Sequence, residues 1–414
     1  MQAADGVPIE SRDRRWPLTR RLAAFIGQLM RLVVSLQVLR EVRRWWNEYS
    51  LACFCRTFGF DHHALRISHD YRLFAASLFR PGHVEVLRIY ELGQFGNFVL
   101  QILNAALLAR RIGARTIQVT PFNGGPKEGS YLLGGLTIEV SRHPRTTRPT
   151  LQGVFWSSDP FAGSPAVDLD GVEDLIETVL KPLFADALGH VPPGPSDQIV
   201  MHLRGGDVFS GPILFPWYVQ PPAQFYVLAA LQAREAFGVT RAVLVSSDRL
   251  NPTIDVVLRE LETEGFAVSF QSESFLADVR LIAGARHLAV AYGTFCEAIT
   301  LLAPNVQSYA AFRLVESQRH QHLHRESLQM RVLRGRGVQI VRVADAAHDY
   351  IQPLTWDRSS AQLALMCDFP RARLSIDTPD DNTDNVSISA LPTPIPPSYR
   401  PLPLSDTSPP PTLV

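Results

Sequence analysis

Lysine is nearly absent from this chain of 414 residues, whose basic side chains are almost all arginine; the only lysines are Lys127 and Lys181. We attribute this skew to a GC-rich coding sequence rather than to function. Net charge is lacking as well, because 40 basic residues balance 40 acidic ones. A neutral chain has no electrostatic footprint for nucleic acid, so we expect no nucleic acid among its main partners.

Cysteine is also scarce, and its spacing is not typical of a metal site. Cys53, Cys55, Cys296 and Cys367 form neither a metal-ligand pattern nor a dense disulfide framework. The chain therefore does not depend on an oxidising compartment for its stability. Its location stays open between a secretory or Golgi membrane in a eukaryote and the cytoplasm or membrane periphery in a bacterium.

A long uninterrupted apolar run is missing too. Residues 20–46 place apolar residues between arginine clusters, but Gln28, Arg31 and Gln37 interrupt them. A membrane-spanning helix needs about 20 apolar residues, and an arginine near its centre is costly. Two interpretations remain open for this amphipathic segment: a helix packed on the body of the protein, or an interfacial helix or weak anchor at a membrane surface.

Composition divides the chain into four parts. At this length we expect two hydrophobic cores rather than one. The proline-rich segment 190–198 is typical of an exposed connection between them, and the Pro, Ser, Thr and Asp of the last forty or so residues cannot build a core. We predict an N-terminal arm with a helix, a first and a second α/β domain, and a disordered tail, at residues 1–50, 51–192, 193–374 and 375–414.

The two central parts alternate strand-like and helix-like segments. In the second half, apolar runs at 199–203, 241–248 and 287–293 alternate with helical patterns such as 222–238 and 294–303. This alternation predicts a parallel sheet wrapped by helices, and the first half repeats it in a looser form. We therefore predict two Rossmann-like α/β domains that face one another across a cleft.

Three turns after predicted strands carry unusual residues. Residues 91–97 (ELGQFGN) lead a strand into a helix, residues 202–207 (HLRGGD) place Arg204 after a buried strand, and residues 291–295 (AYGTF) begin a helix. Ligands bind beyond the carboxyl ends of parallel strands, and helix N-termini and arginine bind anions. Each turn alone is more often structural, as a chain reversal, an ion pair or a helix cap. Their joint occurrence favours a phosphorylated ligand between the domains.

Together these segments resemble the successive motifs of the fucosyltransferase superfamily, which includes the α-1,2, α-1,6 and protein O-fucosyltransferases. The similar stretches, within residues 84–312, are GQFGNFVLQILNAALLARRIG, HLRGGDVF, VSSD and DVRLIAGARHLAVAYGTF. Their order and spacing carry the resemblance. It implies a GT-B glycosyltransferase fold, GDP-fucose as the donor, a glycan or protein hydroxyl as the acceptor, and transfer with inversion without a metal or other cofactor.

The resemblance also implies roles for individual residues. Arg204 would hold the β-phosphate of the donor and stabilise the charge on the departing diphosphate. Asp248 matches a position associated with guanine recognition. The other donor-binding residues that it implies are Gly93, Gly96, Asn97, His202, Gly205, Thr294 and Phe295.

The chain departs from the family pattern at three places. Gly205 stands where many relatives have a second arginine, Arg249 replaces a carboxylate that follows Asp248, and Glu297 with Ala298 replaces an aromatic pair. The first departure leaves two alternatives to a fucosyltransferase. One is a transferase that uses another sugar nucleotide, and the other is an inactive sugar-nucleotide-binding or scaffold protein.

An inverting transfer needs a base that accepts the proton of the acceptor hydroxyl. Asp207, Glu297 and Glu91 are the candidates, although Asp207 is equally suited to orient Arg204 as an ion-pair partner. The residues do not decide among them.

The aromatic and proline-rich loop after the Arg204 turn contains Trp217 and Tyr218. These rings can stack on an acceptor sugar or fill the space between loop and core, and we favour acceptor binding. The triplet 168–170 (DLD) is similar to the D-x-D of metal-dependent glycosyltransferases, but it precedes a helical pattern without a strand before it. We interpret it as a helix cap and predict no metal site.

Two other enzyme classes are disfavoured by missing motifs. No G-x-G-x-x-G follows either leading strand, as a dinucleotide-dependent oxidoreductase would require. No G-x-x-x-x-G-K-[ST] is present either, which disfavours a P-loop phosphotransferase.

Overall fold

Two sheets, each covered by helices, organise the protein. The computed structural model describes residues 16–58, 71–74, 80, 82–90, 94–122, 124–155, 168–210, 214, 216, 218–313, 328–352 and 355–377. Within them the predicted fold class is confirmed: two Rossmann-like α/β domains face one another in a GT-B-like arrangement.

The first domain is built on a six-stranded sheet. In chain order its elements, with the long helix that precedes them, are α1 (Trp16–Phe58), β1 (Arg72–Phe74), β2 (Val86–Ile89), α2 (Phe95–Ile112), β3 (Thr116–Val119), β4 (Gly129–Leu133), β5 (Leu136–Val140), β6 (Thr150–Gly153), α3 (Leu169–Leu175), a π-helical turn (Ile176–Leu180), α4 (Lys181–Leu183) and α5 (Ala185–Leu188). The strand order is β1-β6-β2-β3-β5-β4, and only the outer strands β1 and β4 run antiparallel to their neighbours.

Side chains alternate between the two faces of this sheet. Leu87 and Ile117 lie in the core that α2 covers. On the opposite face the in-register residues Arg88, Gln118 and Glu139 form a hydrogen-bonded polar row, in which Gln118 accepts from Arg88 at 2.8 Å and donates to Glu139 at 2.7 Å. The polar row explains why the strand pattern of the first half was loose in the sequence.

The second domain is built on a seven-stranded sheet. Its elements are β7 (Gln198–His202), α6 (Asp207–Ser210), α7 (Ala223–Phe237), β8 (Arg241–Val245), α8 (Thr253–Thr263), β9 (Ala267–Gln271), α9 (Phe275–Gly284), β10 (His287–Val290), α10 (Thr294–Leu302), β11 (Ser308–Arg313), α11 (Leu328–Gly335), β12 (Gln339–Asp345), α12 (Ser360–Asp368), a 3-10 turn (Arg371–Arg373) and β13 (Leu374–Asp377). The strand order is β13-β12-β11-β10-β7-β8-β9, and only β13 is antiparallel.

Each sheet has a point at which the strand order reverses. In the second sheet the chain proceeds from β7 to β8 and β9 on one side and then returns to place β10 on the other side of β7. In the first sheet β3 and β6 flank β2 in the same way. The loops after β2, β7 and β10 therefore begin at the positions where open α/β sheets bind ligands.

One hydrophobic core joins the two domains. It contains residues of both sheets, such as Leu87 and Leu288, together with the facing sides of α2 and α10. Phe95 at the start of α2 contacts Phe275 and Phe295 of the second domain, with ring centroids 5.3 and 6.3 Å away. The domains are thus in direct contact along these two helices.

Helix α1 has two parts with different surroundings. Its last turns pack on the first domain, where Leu51 and Phe54 are buried. In contrast, every side chain that the structure describes between Gln28 and Trp45 is exposed. The packed alternative for residues 20–46 is therefore wrong over that stretch, because its apolar side chains do not meet the body. Within the part of the chain that the structure describes, no helix combines the length and the apolar character that a membrane span requires.

Several predicted boundaries differ from the structure. Helix α1 is continuous to Phe58 and so crosses the predicted boundary after residue 50. Residues 375–377, predicted as the start of the disordered tail, belong to β13. The strand forms because Leu374 and Ile376 pack against a hydrophobic core of the second domain. The tail beyond residue 377 lies outside the described residues. Residues 169–188 form four short helical segments rather than one regular helix.

Candidate functional site

The turns after β7, β8 and β10 meet at one edge of the second sheet. The last residue of β7, His202, is in register with Val245 at the end of β8 and with Val290 at the end of β10. The sequence predicted that these turns lie at the same ends of a sheet, and the strand register brings them side by side. The reversal between β7 and β10 opens the edge at this point.

Arg204 lies near the centre of this edge. Its guanidinium donates to Asp207 Oδ1 at 3.0 Å, and its central carbon lies 5.4 Å from the ring centroid of Tyr218. Its side chain is only 13% exposed. Nη1 also lies beside the turn that starts α10, since a β-carbon on Gly293 would come within 3.3 Å of it. A nearly buried guanidinium in this position is held in place before any ligand arrives.

Asp248 holds the turn that carries Arg204. Its Oδ2 accepts from the backbone N-H of Gly206 at 2.7 Å and from Ser247 Oγ at 3.3 Å, and its Oδ1 accepts from the backbone N-H of Leu250 at 2.9 Å. Both carboxylate oxygens therefore stabilise local backbone. Guanine recognition by Asp248 stays a prediction.

Gly205 is packed tightly against the turn after β8. A β-carbon at this position would lie 2.6 Å from Asp248 Oδ1 and 2.9 Å from the hydroxyl oxygens of Ser246 and Ser247. The arginine that many fucosyltransferases carry here would not fit without a shift of this turn. Glycine at position 205 therefore fits the close packing of Ser246, Ser247 and Asp248 around it.

The N-termini of α2 and α10 meet across the domain interface. A β-carbon on Gly96 would come within 2.4 Å of the backbone of Thr294, so only glycine allows this approach. Thr294 Oγ1 donates to Asn97 Oδ1 at 2.5 Å. Three of the donor-binding residues implied by the resemblance are thus brought together from both domains.

The positive ends of two helices and a guanidinium converge here. Neither Gln94 at the start of α2 nor Gly293 at the start of α10 supplies a side-chain cap. Each helix N-terminus carries roughly half a positive charge and leaves backbone N-H groups without intrahelical partners. Asp207 pairs with Arg204, and Glu297 lies in the first turn of α10, so these two carboxylates offset part of this potential. The arrangement is suited to an anion with several oxygen atoms, such as a diphosphate.

His202 is buried behind Arg204. Burial and, to a smaller extent, the charge of Arg204 lower the pKa of His202 to about 3, so the imidazole is neutral near pH 7. Its ring lies 5.3 Å from the ring of Phe295. Within the described residues, Nδ1 of His202 and Oγ of Ser246 are buried without a hydrogen-bond partner. Both polar atoms lie at the ends of strands β7 and β8, next to the turn that carries Arg204.

The remaining predicted residues lie around this point or outside the described residues. Glu297 is in the first turn of α10, close to Thr294 in the chain. Tyr218 lies against Arg204, so the structure places it beside the anion site. Gly93, Trp217 and Glu91 are outside the described residues.

Sequence reasoning missed Asn251 as part of the site. Its Nδ2 donates to the carbonyl of Arg204 at 2.9 Å, while its Oδ1 accepts from the backbone N-H and hydroxyl of Thr253. The Asn-Pro-Thr sequence is a recognisable helix-start signal. It does not show that the same asparagine also fixes the backbone of Arg204.

A metal site is not formed by the residues that the structure describes: no group of three or more His, Cys, Asp or Glu side chains among them could hold an ion. Asp168 of the D-x-D triplet directly precedes α3, at the position expected of a cap, but makes no side-chain cap hydrogen bond.

The fold and site together define a two-domain α/β protein in which Arg204 and two helix N-termini meet between the domains. No family model matches the chain, and no curated protein matches it. Among solved structures, it is similar to POFUT1 in complex with GDP, with 11% identity and a TM-score of 0.32 over 55% of this chain and 98% of that chain. It is also similar to E. coli heptosyltransferase WaaC with ADP, with 11% identity and a TM-score of 0.30 over 67% and 95% of the two chains. Similarities this weak do not identify a donor or an acceptor.

Proposed function

We propose that this protein is a glycosyltransferase, and specifically one that moves fucose from GDP-fucose to a hydroxyl of a glycan or protein acceptor. The observation that carries the proposal is the convergence of Arg204 with the N-termini of α2 and α10 where the strand order of each sheet reverses. The motif resemblance supplies the donor. The convergence is an observation on geometry and the resemblance is one on sequence, but both involve Arg204, Gly96, Asn97 and Thr294.

In the proposed reaction an acceptor oxygen attacks C1 of the sugar while the bond from C1 to the diphosphate oxygen breaks. The electron pair of that bond leaves on GDP, and a carboxylate takes the proton of the acceptor hydroxyl. Arg204 and the helix N-termini stabilise the charge that develops on the diphosphate, and they require no reorganisation because packing already fixes them. The protein would thereby need no metal for this step.

Glu297 is the base that we propose. Asp207 is bound to Arg204 at 3.0 Å, so its carboxylate is engaged in orienting the guanidinium. Glu297 lies in the first turn of α10, one turn from the Thr294 contact with α2. For the acceptor side we propose the aromatic loop with Trp217 and Tyr218.

The pairing of Asp207 with Arg204 also favours a second candidate, because it leaves one carboxylate fewer to act as a base. This candidate is a protein that binds a sugar nucleotide without turning it over. This alternative predicts donor binding without release of GDP. Binding and release must therefore be measured separately.

The test is calorimetric titration of the purified chain with GDP, GDP-fucose, UDP and ADP. We expect GDP compounds to bind and Arg204→Ala to weaken binding by about 30-fold or more, since a charge-assisted contact contributes about 2 kcal/mol or more. Arg249→Ala is the matched control, because this exposed arginine lies after the same edge, paired with Asp255 and stacked on Phe270. Preference for UDP would transfer the proposal to another donor, and absence of nucleotide binding would reject it.

Turnover is tested by GDP release from GDP-fucose in the presence of acceptor hydroxyls. We expect Glu297→Gln to lower the rate while leaving GDP affinity within about twofold, because a base acts on the acceptor rather than on the nucleotide. Tight donor binding without GDP release in the wild-type chain would favour the binding protein.

A further inference from the structure

The exposed part of α1 carries an unusual amount of apolar surface. Leu32, Leu39, Val42 and Trp45 are between 57% and 64% exposed. The other large apolar side chains exposed along this stretch are Val33, Leu36, Val38 and Tyr49. Soluble proteins rarely leave so large a contiguous apolar surface exposed unless it meets a partner or a membrane.

Most of these side chains lie on one broad face of the helix; Val33 is the exception, because it falls in the row of Gln37, Arg40 and Arg44. Val38, Val42, Trp45 and Tyr49 follow each other at spacings of four, three and four, which is one row along a helix. Leu32, Leu36 and Leu39 form the adjacent row. The opposite face presents Gln37, Arg40, Glu41 and Arg44, all of them exposed. The segment is therefore amphipathic along residues 36–49, with Arg43 as a charged residue next to Leu36 and Leu39 on the apolar face.

Charge distinguishes this segment from the rest of the neutral chain. Residues 16–46 contain six arginines and one glutamate, which gives a net charge of +5. An anionic lipid surface attracts nearby basic residues by about 1 kcal/mol each. This excess complements a membrane with acidic headgroups.

Aromatic rings mark the end of the exposed stretch. Trp45 and Tyr49 stack with ring centroids 5.8 Å apart, and Trp46 lies 5.5 Å from Tyr49. From Ser50 onward α1 packs on the body through the buried residues Ser50, Leu51, Phe54 and Cys55. Trp and Tyr prefer the boundary between headgroups and acyl chains, because their rings are apolar with one polar group.

We propose that α1 binds the surface of an anionic lipid bilayer, with the rows of Val38, Val42, Trp45 and of Leu32, Leu36, Leu39 inserted and the arginine face toward the headgroups. The breadth of the apolar face favours this over a second copy of the chain. Paired helices use one narrow seam repeated at three and four residues, whereas two such rows lie side by side here, and each row ends at a polar residue, Ser35 before Val38 and Arg43 after Leu39. The proposal is independent of the proposed transferase activity.

The test is sedimentation of the full chain with vesicles of phosphatidylcholine, with or without phosphatidylserine. We expect binding to the vesicles that contain phosphatidylserine and weakening at high salt. Val42→Gln should lower the partition about tenfold, because it removes one inserted aliphatic side chain without changing the charge. Leu132→Gln is the matched control, since Leu132 is 78% exposed on β4 in the body and its loss should leave binding unchanged.

Three results would overturn the proposal. One is a chain that sediments with neither kind of vesicle while circular dichroism shows that it is folded. Another is a dimer in the absence of lipid that Val42→Gln dissociates, which would assign this face to a second copy of the chain. Equal partition of Val42→Gln and wild type would also reject insertion of this row.

Discussion

Gly205 determines which side chains can surround Arg204. Because a β-carbon there would lie within 2.6 to 2.9 Å of three side-chain oxygens, Gly205→Ala must displace these side chains, of which Asp248 is held by hydrogen bonds to the backbone of Gly206 and Leu250. We expect a loss of about 1–3 kcal/mol in the free energy of unfolding, as for overpacked sites, and weaker nucleotide binding. Chemical denaturation measures the first effect. Gly335→Ala, in a helix with open space around it, is the control and should not destabilise. Equal stabilities of the two variants would contradict the tight packing.

His202 links stability to pH. Its pKa is lowered to about 3 in the folded protein, from an ordinary value of 6.5. Between these values the unfolded chain binds the proton and the folded chain does not, so stability falls as the pH falls below 6.5, by up to about 1.4 kcal/mol per pH unit. His202→Gln should remove this contribution. The measurement is the unfolding free energy of both proteins between about pH 7.5 and 4.5. Parallel curves would show that His202 is not the buried neutral group described here.

The helix α10 is held at both ends, and its C-terminal clamp is Arg336. The guanidinium donates to both carboxylate oxygens of Glu173 in the first domain, at 2.8 and 2.7 Å, and to the carbonyl of Leu301 at 3.1 Å. Arg336→Lys loses the two-pronged geometry, so we expect a loss of about 1–3 kcal/mol in unfolding free energy. A double-mutant cycle with Glu173→Gln should give a coupling above about 0.5 kcal/mol. Arg249→Lys, in an exposed pair, should change stability by less than about 0.5 kcal/mol. A coupling near zero would mean that the clamp does not stabilise α10.

At the scale of elements, the sequence predicted the second domain better than the first. The apolar runs of β7 and β10 are buried on both faces, and β8 is apolar after Arg241 and at least partly buried throughout, so their composition alone predicts strands. In the first sheet, β3 contains the buried polar residues Thr116 and Gln118, which only the cross-strand hydrogen bonds explain. The short β4 is largely exposed and gives no periodic signal.

The candidate site shows the same division between local and long-range information. The sequence placed Arg204, Thr294 and Asn97 at strand ends and helix starts, because glycine turns and apolar runs are local signals. It did not predict that Asp248 holds Gly206 or that Gly96 packs on Thr294, since these contacts join residues 42 or more positions apart in the chain. Only the order of the strands decides which turns meet.

At the scale of the whole molecule, the shared core predicts that both domains unfold together. Phe95 of α2 contacts Phe275 and Phe295 across the interface and is only 2% exposed. Separating the domains would expose this face, so neither domain is expected to keep its structure after the other unfolds. We expect one calorimetric transition with equal calorimetric and van't Hoff enthalpies. Phe95→Ala should lower the free energy of unfolding of both domains by about 3–5 kcal/mol. Amide exchange in β3 and β8 measures this effect in each domain. Phe74→Ala, at an exposed position, is the control and should have little effect. Two separate transitions, or protection lost in one sheet alone, would show that the domains are independent units.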